Sequence, residues 1–564
     1  MAVEKLITQH IDTWTSALRT RSTAGRGSNG KIDLYGIKKL RELILELAVR
    51  GKLVPQDPND EPASELLKRI AAEKAELVKQ GKIKKQKSLT EISEDEKPFE
   101  LPARWEWVRF GNIYEMEYGD NLPQEKRTNT GEYNVYGSNG VVGTHKVACV
   151  NSPCIVIGRK GSAGALNLSL NAGCWVTDVA YSTIPPIAMN IDFVYLQFHT
   201  LGLDSLGKGI KPGLNRNDAY GLAIAIPPQN EQENIVIKVK ELMSLCDQLE
   251  QQSLTSLDAH QQLVETLLAT LTDSQNAEEL AENWARISQH FDTLFTTEAS
   301  IDALKQTILQ LAVMGKLVPQ DPNDEPASEL LKRIEQEKAQ LVKEGKIKKQ
   351  KPLPPISEEE VFLAVPERWT ICRLQEVTNL ITDGKHGDCN NRVDSGYYFL
   401  SAKDISDGKL NYTFARQIEP EEFLEVHNRT NLQVGDICMV NTGATVGKLA
   451  IVDDVNLAAN TTFQKSVAVI KPCSSFVYNL YIYLFLESQT LALRMKSGGS
   501  AINNLLLGDL KRKLTPLPPL KEQYRIVNKV NELNKLCDHL KSRLQSAQQT
   551  QLHLADALTD ATLN

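Results

Sequence analysis

The strongest constraint on the fold is a duplication inside the chain. Residues 48–87 and 312–351 differ at only 5 of 40 positions. A second shared pair, 227–249 and 518–540, follows each copy at a distance and keeps its Pro-Pro, Glu-Gln and Cys residues. A period of domain size excludes a solenoid of short stacked repeats. The chain is therefore two half-molecules that share a common frame.

The shared segments predict helices. Apolar residues at intervals of 4, 3, 4 and 3 are typical of a coiled-coil seam, and both copies show them: Ile235, Val239, Leu242, Cys246 and Leu249, then Ile526, Val530, Leu533, Cys537 and Leu540. Because two such helices lie in one chain, we expect them to pair antiparallel about a pseudo-two-fold axis. A further helix pair is predicted at 63–79 and 327–343.

The segments between the shared frames are unrelated in sequence. Both contain β-type runs broken by Gly and Asn, which predicts globular α/β or mostly β domains. The fold class is α+β, with two globular inserts joined and spaced by paired long antiparallel helices. The predicted segments are a helical region with a Gly/Ser-rich linker (1–100), the first insert (101–226), a central helical spacer (227–364), the second insert (365–517) and a terminal helix (518–564).

Charge and cysteine content limit the function classes. The 564 residues carry a net charge of −7, which does not by itself indicate a nucleic-acid partner. The first insert nevertheless has 10 basic and 10 acidic residues, so the acidic excess lies outside it. Nine cysteines without a C-x-x-C pair suit a reducing compartment. With neither a signal peptide nor a membrane-length apolar run, the predicted location is the cytoplasm.

The sequence contains no complete example of the catalytic motifs considered below. Residues 443–449 resemble a phosphate-binding loop, but their glycines are one residue too close and Leu449 replaces the magnesium-binding Ser or Thr. No dinucleotide-binding, amino-methyltransferase or zinc-protease motif occurs, and no metal site is indicated. Asp383 and His386 could act as acid and base, but a solvated or DNA-facing turn is the favoured interpretation.

Binding signals are better than catalytic ones. Basic residues stand beside glycines, which let backbone approach phosphate, and beside short polar side chains that read base edges. The candidate DNA-binding residues are Ser138, Asn139, Arg159, Lys160, Ser162, Lys208, Lys211, Asn215 and Arg216 in the first insert, and Lys385, His386, Lys403, Thr442, Thr445, Lys448, Lys496, Ser500, Asn503 and Asn504 in the second. Taken singly, each Lys or Arg is better explained as a solvated surface charge than as a DNA contact. The repeated GKIKKQK is either a basic linker along a phosphate backbone or a merely soluble helix end.

Together these features resemble the specificity subunits of Type I restriction–modification systems. The resemblance covers nearly the whole chain. It rests on Pro102-x-x-Trp105 and Pro366-x-x-Trp369, on YGSNG followed by IVIGRKGSAG, on ITDGKHGD followed by YYFLSAKDISDGKL, and on two PPxxEQ helices. The GKLVPQDP repeats resemble the long-chain subset of that family. In one departure from the family pattern, Lys385 stands where a Thr is usual.

The resemblance implies that each insert is a target recognition domain reading one half of an asymmetric bipartite target in double-stranded DNA. It implies that the helices set the spacer and dock two modification subunits, which methylate adenine, with two restriction subunits beside them. S-adenosylmethionine, ATP and magnesium then belong to those partners, and this chain is non-catalytic and binds no cofactor. Two alternatives stay open: a helical scaffold with protein-binding inserts, or a self-contained DNA-modifying enzyme.

Overall fold

The structure, a computed structural model, describes residues 3–21, 31–81, 83, 89–127, 130–207, 213–361, 364–443, 445–496 and 504–563. The chain forms two compact units. Unit 1 comprises Met1–Thr20, Ile32–Thr255 and Gln548–Asn564, and unit 2 comprises Arg21–Lys31 and Ser256–Ala547. The five-segment division expected from the sequence stays a prediction, since each unit combines one insert with parts of several helical segments.

The helices of the described residues are α1 (Val3–Gln9), α2 (Ile11–Ser16), α3 (Tyr35–Val49), α4 (Ala63–Lys79), α5 (Phe110–Ile113), α6 (Ile191–Thr200), α7 (Arg216–Tyr220), α8 (Gln229–Asp273), α9 (Ala277–Gln289), α10 (Phe291–Leu294), α11 (Glu298–Val313), α12 (Ala327–Lys343), α13 (Pro420–Thr430), α14 (Val455–Ala459), α15 (Asn479–Lys496), α16 (Leu507–Arg512) and α17 (Leu520–Leu563). Helices α4 and α12 begin and end at the residues that the sequence predicted.

The strands are β1 (Arg19–Arg21), β2 (Lys31–Asp33), β3 (Glu106–Arg109), β4 (Glu117–Tyr118), β5 (Tyr133–Tyr136), β6 (Val141–His145), β7 (Cys154–Gly158), β8 (Leu166–Ser169), β9 (Trp175–Val176), β10 (Ala180–Thr183), β11 (Ala223–Ile226), β12 (Thr370–Arg373), β13 (Thr378–Asp383), β14 (Tyr398–Leu400), β15 (Ile405–Ser406), β16 (Lys409–Leu410), β17 (Arg416–Gln417), β18 (Ile437–Val440), β19 (Leu449–Ile451), β20 (Thr461–Phe463), β21 (Val467–Pro472) and β22 (Leu514–Leu517).

In unit 1, helix α3 contacts the first part of α8 and the last part of α17. Arg41 of α3 bridges Asp247 of α8 at 2.6 Å, and Lys52, after the end of α3, donates to the carbonyl of Leu563 at 2.7 Å. Tyr35, at the start of α3, donates to Asp556 at 2.6 Å. Helix α17 therefore runs parallel to α3 in this unit.

The direction of α8 follows from one further contact. Gln56, which lies beyond the C-terminus of α3, donates to Glu231 near the start of α8 at 2.6 Å. Since Arg41 contacts the later residue Asp247, α8 runs antiparallel to α3 and hence to α17. The predicted antiparallel arrangement of the two long helices is confirmed within this unit.

Unit 2 repeats the arrangement with the roles of the long helices exchanged. Lys541 of α17 bridges Asp302 of α11 at 3.0 Å, and Gln320, after α11, donates to Glu522 at 2.7 Å. Lys316 donates to the carbonyl of Thr272, near the end of α8, at 2.6 Å. Each unit thus contains the start of one long helix and the end of the other, as a pseudo-two-fold repeat requires.

The predicted apolar seams are buried. Leu242 and Cys246 of α8 are at most 1% exposed, and Ile526 and Val530 of α17 are fully buried. Leu533 and Leu540 are only partly buried but pack against the core of unit 2. The 4-3-4-3 spacing therefore identified the faces of these helices that pack into the cores.

A buried carboxylate joins three shared motifs in each unit. Glu231, 2% exposed, accepts hydrogen bonds from the indole of Trp105 at 3.0 Å and from Gln56 at 2.6 Å. Glu522 accepts the same pair of bonds, from Trp369 at 3.0 Å and from Gln320 at 2.7 Å. Burial raises the pKa of both carboxyls, although the two hydrogen bonds on each act to lower it.

The neighbouring glutamines anchor the inserts. Gln232 accepts from the backbone N–H of Asn190 at 2.8 Å, and Gln523 accepts from the backbone N–H of Tyr478 at the same distance. These backbone groups lie at the starts of α6 and α15, and α6 packs on α3 just as α15 packs on α11. The Glu-Gln pair of each PPxxEQ motif therefore ties the long helix to the insert that precedes it.

The two inserts share one topology although their sequences do not align. In the first, a four-stranded sheet has the order β4-β10-β7-β8, and in the second it has the order β13-β21-β18-β19. A three-stranded sheet accompanies each, β6-β5-β9 and β17-β14-β20, with a parallel pair in both. The terminal strands of each insert also pair, β3 with β11 and β12 with β22. Sequence comparison missed this common architecture.

We predict that Glu231→Ala lowers the free energy of unfolding by about 1–3 kcal/mol, because it leaves the buried Trp105 indole and Gln56 amide without an acceptor. Chemical denaturation of the purified chain measures this. Glu233→Ala is the matched control, since Glu233 is exposed on the same helix and a surface change there should stay within about 0.5 kcal/mol. Equal effects of the two substitutions would contradict the role given to Glu231.

Candidate nucleic-acid interface

In the first insert, a turn after β7 carries three of the predicted residues: Arg159, Lys160 and Ser162. The carbonyl of Arg159 accepts from Leu214 N–H at 2.9 Å. Lys160 forms an isolated β-bridge, a single backbone pairing outside the named strands, with Gly213. The turn thus lies against the segment that opens α7. There the side chain of Asn215 caps the helix, accepting from the N–H of Asn217 at 3.0 Å.

A second turn, between β5 and β6, carries Ser138 and Asn139. The Ser138 carbonyl lies so close to Gly158 at the end of β7 that a Cβ on this glycine would clash with it. Asn139 is exposed and Ser138 is half-buried. The structure therefore brings the turn after β5, the turn after β7 and the start of α7 together at one edge of the insert.

In the second insert, the equivalent turn follows β18. Thr442 forms an isolated bridge with Asn504 and donates to its side-chain oxygen at 3.2 Å, as Lys160 bridges Gly213 in the first insert. Lys448 N–H donates to the carbonyl of Thr445 at 3.2 Å, as Ala165 does to Ser162. Lys160 and Thr442 therefore occupy equivalent positions, and so do Ser162 and Thr445.

Two further predicted residues of the second insert, Lys385 and Lys403, lie on neighbouring turns. Gln464 N–H donates to the carbonyl of Leu400 at 2.9 Å, as Thr177 N–H donates to the carbonyl of Tyr136 at 3.0 Å in the first insert. Lys403 follows Leu400 by three residues, and Asn139 follows Tyr136 by three. Lys403 therefore corresponds to Asn139. Lys385 lies directly beside Gln464, with which it forms an isolated parallel bridge.

The predicted lysines differ in whether a carboxylate lies close enough to neutralise the ammonium charge. Lys385 lies 3.7 Å from Glu422 and 3.6 Å from Glu425 of α13, so its charge is partly neutralised. Within the described ranges, no carboxylate lies within salt-bridge distance of the ammonium groups of Lys160, Lys403 and Lys448. Their positive charge is therefore available to an anionic partner such as phosphate.

The Asp383–His386 pair is part of a larger ion-pair cluster. The His386 ring lies 2.9 Å from the carboxylate of Asp383, which also accepts from Arg429 of α13. The side chain of Asp383 is 9% exposed, whereas that of His386 is 62% exposed. This arrangement fits the turn interpretation, because the carboxylate is already shared with a permanent cation.

In each insert, one residue that sequence reasoning missed lies beside the predicted turns of that insert. Lys465 follows Gln464 and donates its backbone N–H to the carbonyl of Lys385 at 3.0 Å. Tyr118 ends β4 and is 54% exposed, with the guanidinium carbons of Arg159 and Arg216 at 5.1 and 4.7 Å from its ring centroid. The aromatic residue before a strand-ending glycine in the sequence EYGD was the available signal for Tyr118.

Some predictions cannot be placed. Lys208, Lys211, Ser500 and Asn503 lie outside the described residues, and Lys496 ends α15 without a described side chain.

Within the described part of the chain, no cluster of three or more metal-ligating side chains occurs. In the same residues, no helix has the length and apolar character needed to cross a bilayer.

Comparisons with known proteins identify the family. A family model described as the Type I restriction modification DNA specificity domain matches residues 102–259 and 366–548. The specificity subunit of Type I restriction enzyme EcoAI from Escherichia coli is 50% identical, and that of EcoEI from the same species is 49% identical. Each match covers 100% of this chain and 100% of the relative. The chain belongs to the family of Type I restriction–modification specificity subunits, which are non-catalytic.

Two solved structures have much lower sequence identity to this chain. A chain from a study of type I R-M complex assembly and conformational transition is 16% identical, with a TM-score of 0.46, over 83% of this chain and 99% of that one. The HsdS subunit of Thermoanaerobacter tengcongensis is also 16% identical, with a TM-score of 0.35, over 82% and 98%. We base family membership on the sequence matches.

We predict that Lys160→Ala weakens DNA binding and makes the slope of log K against log salt less steep by about one, because one phosphate contact is lost. Titration of labelled duplex at several salt concentrations, with the modification subunits present, measures both effects. Lys38→Ala on α3 removes the same charge outside the inserts and should leave the slope unchanged. An unchanged slope for Lys160→Ala would place this residue away from DNA.

Proposed function

We propose that this chain supplies the DNA sequence specificity of a Type I restriction–modification complex, with each insert reading one half of an asymmetric bipartite duplex target. The observation that supports this proposal is the positional agreement of the candidate residues. Three pairs of predicted DNA contacts, one member from each insert, occupy the same positions of the shared topology although the insert sequences are unrelated. The pairs are Lys160 and Thr442, Ser162 and Thr445, and Asn139 and Lys403.

This agreement is what two reading heads of one kind would produce. Surface charges without a common role would be scattered differently in two domains whose sequences do not align. Here the turns occupy the same places in the topology and their side chains differ. A shared topology fixes how a domain docks on the duplex, while different side chains select different bases. Two heads of this kind predict a target with two unlike halves.

The long helices are suited to set the spacing of the half-sites. Helix α8 has 45 residues and α17 has 44, so each is about 65 Å long at 1.5 Å per residue. One turn of DNA separates half-sites by roughly 34–36 Å. The proposal therefore gives the target an unread spacer whose length follows that of the helices.

We further propose that two copies of one modification subunit dock on the duplicated frame. Every residue of 55–69 is identical to its counterpart in 319–333, including the exposed Pro58, Glu65 and Lys68. The Glu65–Lys68 ion pair is 49% and 73% exposed, and such pairs contribute little to stability. Folding alone therefore does not account for the identity of these side chains.

Exposed positions elsewhere in the duplicated frame have diverged. On the long helices, Glu233, Ile237 and Lys240 correspond to Tyr524, Asn528 and Asn531, although the buried seams are kept. A free surface changes between copies, whereas a surface that binds the same partner twice is held constant. The exposed side chains of the tract from Pro55 to Arg69, with those of its copy at 319–333, form the proposed docking surface.

The partners supply the chemistry under this proposal. The modification subunits bind S-adenosylmethionine and methylate adenine in each half-site, and two restriction subunits use ATP and magnesium. This chain contributes recognition and spacing and itself binds no cofactor. The complex acts on double-stranded DNA in the cytoplasm.

We predict that replacing residues 101–226 by the corresponding insert of another family member changes one half of the target and leaves the other half and the spacer unchanged. Methylome sequencing of a host that expresses the chain with its modification subunit measures this, and a host that expresses the chain alone is the control. A continuous motif, changes in both halves, or methylation by the chain alone would refute the proposed function.

We also predict that Lys68→Glu and Lys332→Glu each weaken one of the two docking sites about tenfold or more, because an unpaired charge of reversed sign is unfavourable to desolvate at an interface. Native mass spectrometry should show one modification subunit bound to either single variant and none to the double variant at limiting concentration.

The matched control for docking is Lys240→Glu, since Lys240 is 67% exposed and its counterpart in the other copy differs. This variant should keep two modification subunits. Full occupancy in the Lys68→Glu, Lys332→Glu double variant would show that the docking surface lies elsewhere on the frame.

A further inference from the structure

Tyr118 is held in place while half of its surface stays open. It ends strand β4 at the edge where the predicted DNA-binding turns meet, and it is 54% exposed. Arg159 and Arg216 lie over its ring, at 5.1 and 4.7 Å from the centroid, and the ring of Tyr181 lies at 5.1 Å. An exposed aromatic side chain surrounded by three others is a rigid, preorganised contact surface.

The two arginines are themselves fixed by backbone carbonyls. Arg159 donates from Nε to the carbonyl of Asp178 at 3.0 Å, and Arg216 donates from Nη1 to the carbonyl of Met116 at 2.9 Å. Their guanidinium groups therefore hold the ring rather than swing freely in solvent. Because the ring is ordered in advance, a ligand that contacts it does not have to bear the entropy of ordering it.

The same backbone position carries different chemistry in the other insert. Tyr118 pairs with Tyr181 of β10, and Asp383 pairs with Ala468 of β21 at the equivalent place in the four-stranded sheet. The following residue is glycine in both inserts, Gly119 and Gly384, where a Cβ would clash with the backbone of the neighbouring segment. The chain path at this turn is therefore the same in both inserts.

At Asp383 the second insert places a buried carboxylate that accepts from Arg429 and lies 2.9 Å from the His386 ring. Arg429 belongs to α13, which follows β17 of that insert. One position is thus rigidly supported in both inserts, by an aromatic cluster in one and by an ion-pair cluster in the other. Rigid support together with different chemistry is the combination that discriminates between bases, since phosphate contacts need neither.

We propose that Tyr118 determines the base specificity of the first insert at one position of its half-site, by contact of its ring edge and hydroxyl with a base edge in duplex DNA. The inference rests on the proposed function and names a residue that carries it out. A neutral ring offers no charge to phosphate, whereas apolar contact with a thymine methyl and a hydroxyl hydrogen bond both read sequence. Arg159 and Arg216 are positioning residues for this ring.

The test uses the complex of this chain with its modification subunits and a library of duplexes randomised across the target. Tyr118→Ala should lower discrimination at one base pair of one half-site about tenfold or more, the range of a single good base contact. Preferences in the other half-site and the salt dependence of binding should stay as in the wild type. Tyr118→Leu, which keeps apolar bulk, serves if the alanine variant fails to assemble.

Leu170→Ala is the matched control. Leu170 is 60% exposed and follows β8 beside the start of β7, at the other end of the sheet from Tyr118, so its loss should change no preference. Arg159→Lys should lower discrimination at the same base pair as Tyr118→Ala does. Lysine lacks the planar group and the Nε donor that hold the ring.

Two results would overturn the inference: unchanged base preferences in both Tyr118 variants, or an equal loss of binding for every sequence. If the wild-type complex itself selects no bipartite target, the proposed function fails. If it does select one and the Tyr118 variants read it identically, only the role of Tyr118 fails.

Discussion

The structure depends on a buried carboxylate that is used twice. Glu231 and Glu522 each accept from a tryptophan of the insert and a glutamine of the duplicated frame. A buried carboxylate is costly unless it is paired with donors, so each Glu fixes the insert, the frame and the long helix in one geometry. Because both units use the same interaction, they hold inserts of unrelated sequence in equivalent settings. The rest of each insert can therefore vary in sequence without loss of the contacts that hold the insert to the frame.

The helical frame was predictable because its signals are local. The 4-3-4-3 spacing placed the seam that includes Leu242 and Ile526 in the cores, and the PQDPNDEP turns marked where α4 and α12 begin. The buried bond of Trp105 to Glu231 was not predictable, since the two residues are 126 positions apart. The only sign of this bond in the sequence was that the Pro-x-x-Trp and PPxxEQ motifs both recur.

The common topology of the inserts escaped the sequence for a physical reason. Their strands have two to six residues, which is too short for a clear alternation of apolar and polar residues, and their pairings join segments far apart in the chain. Basic residues and glycines nevertheless pointed to turns that occupy equivalent places in the two inserts, because close backbone approach leaves a local signal. Tyr118 was missed because an aromatic residue in a strand is ordinarily part of the core, and its exposure depends on neighbours from other turns.

Helix α13 gives the second insert a surface that differs from that of the first insert on the same architecture. It lies between β17 and β18 of the second insert and supplies Glu422, Glu425 and Arg429 around Lys385 and Asp383. The first insert has no described helix between β6 and β7, and there Tyr118 stays open. Under the proposed function, the strands and the close glycine turns fix where a reading residue stands, and an inserted segment decides which groups surround it. New specificity can therefore arise by changing loops and single residues while the buried carboxylates, and with them the frame, stay the same.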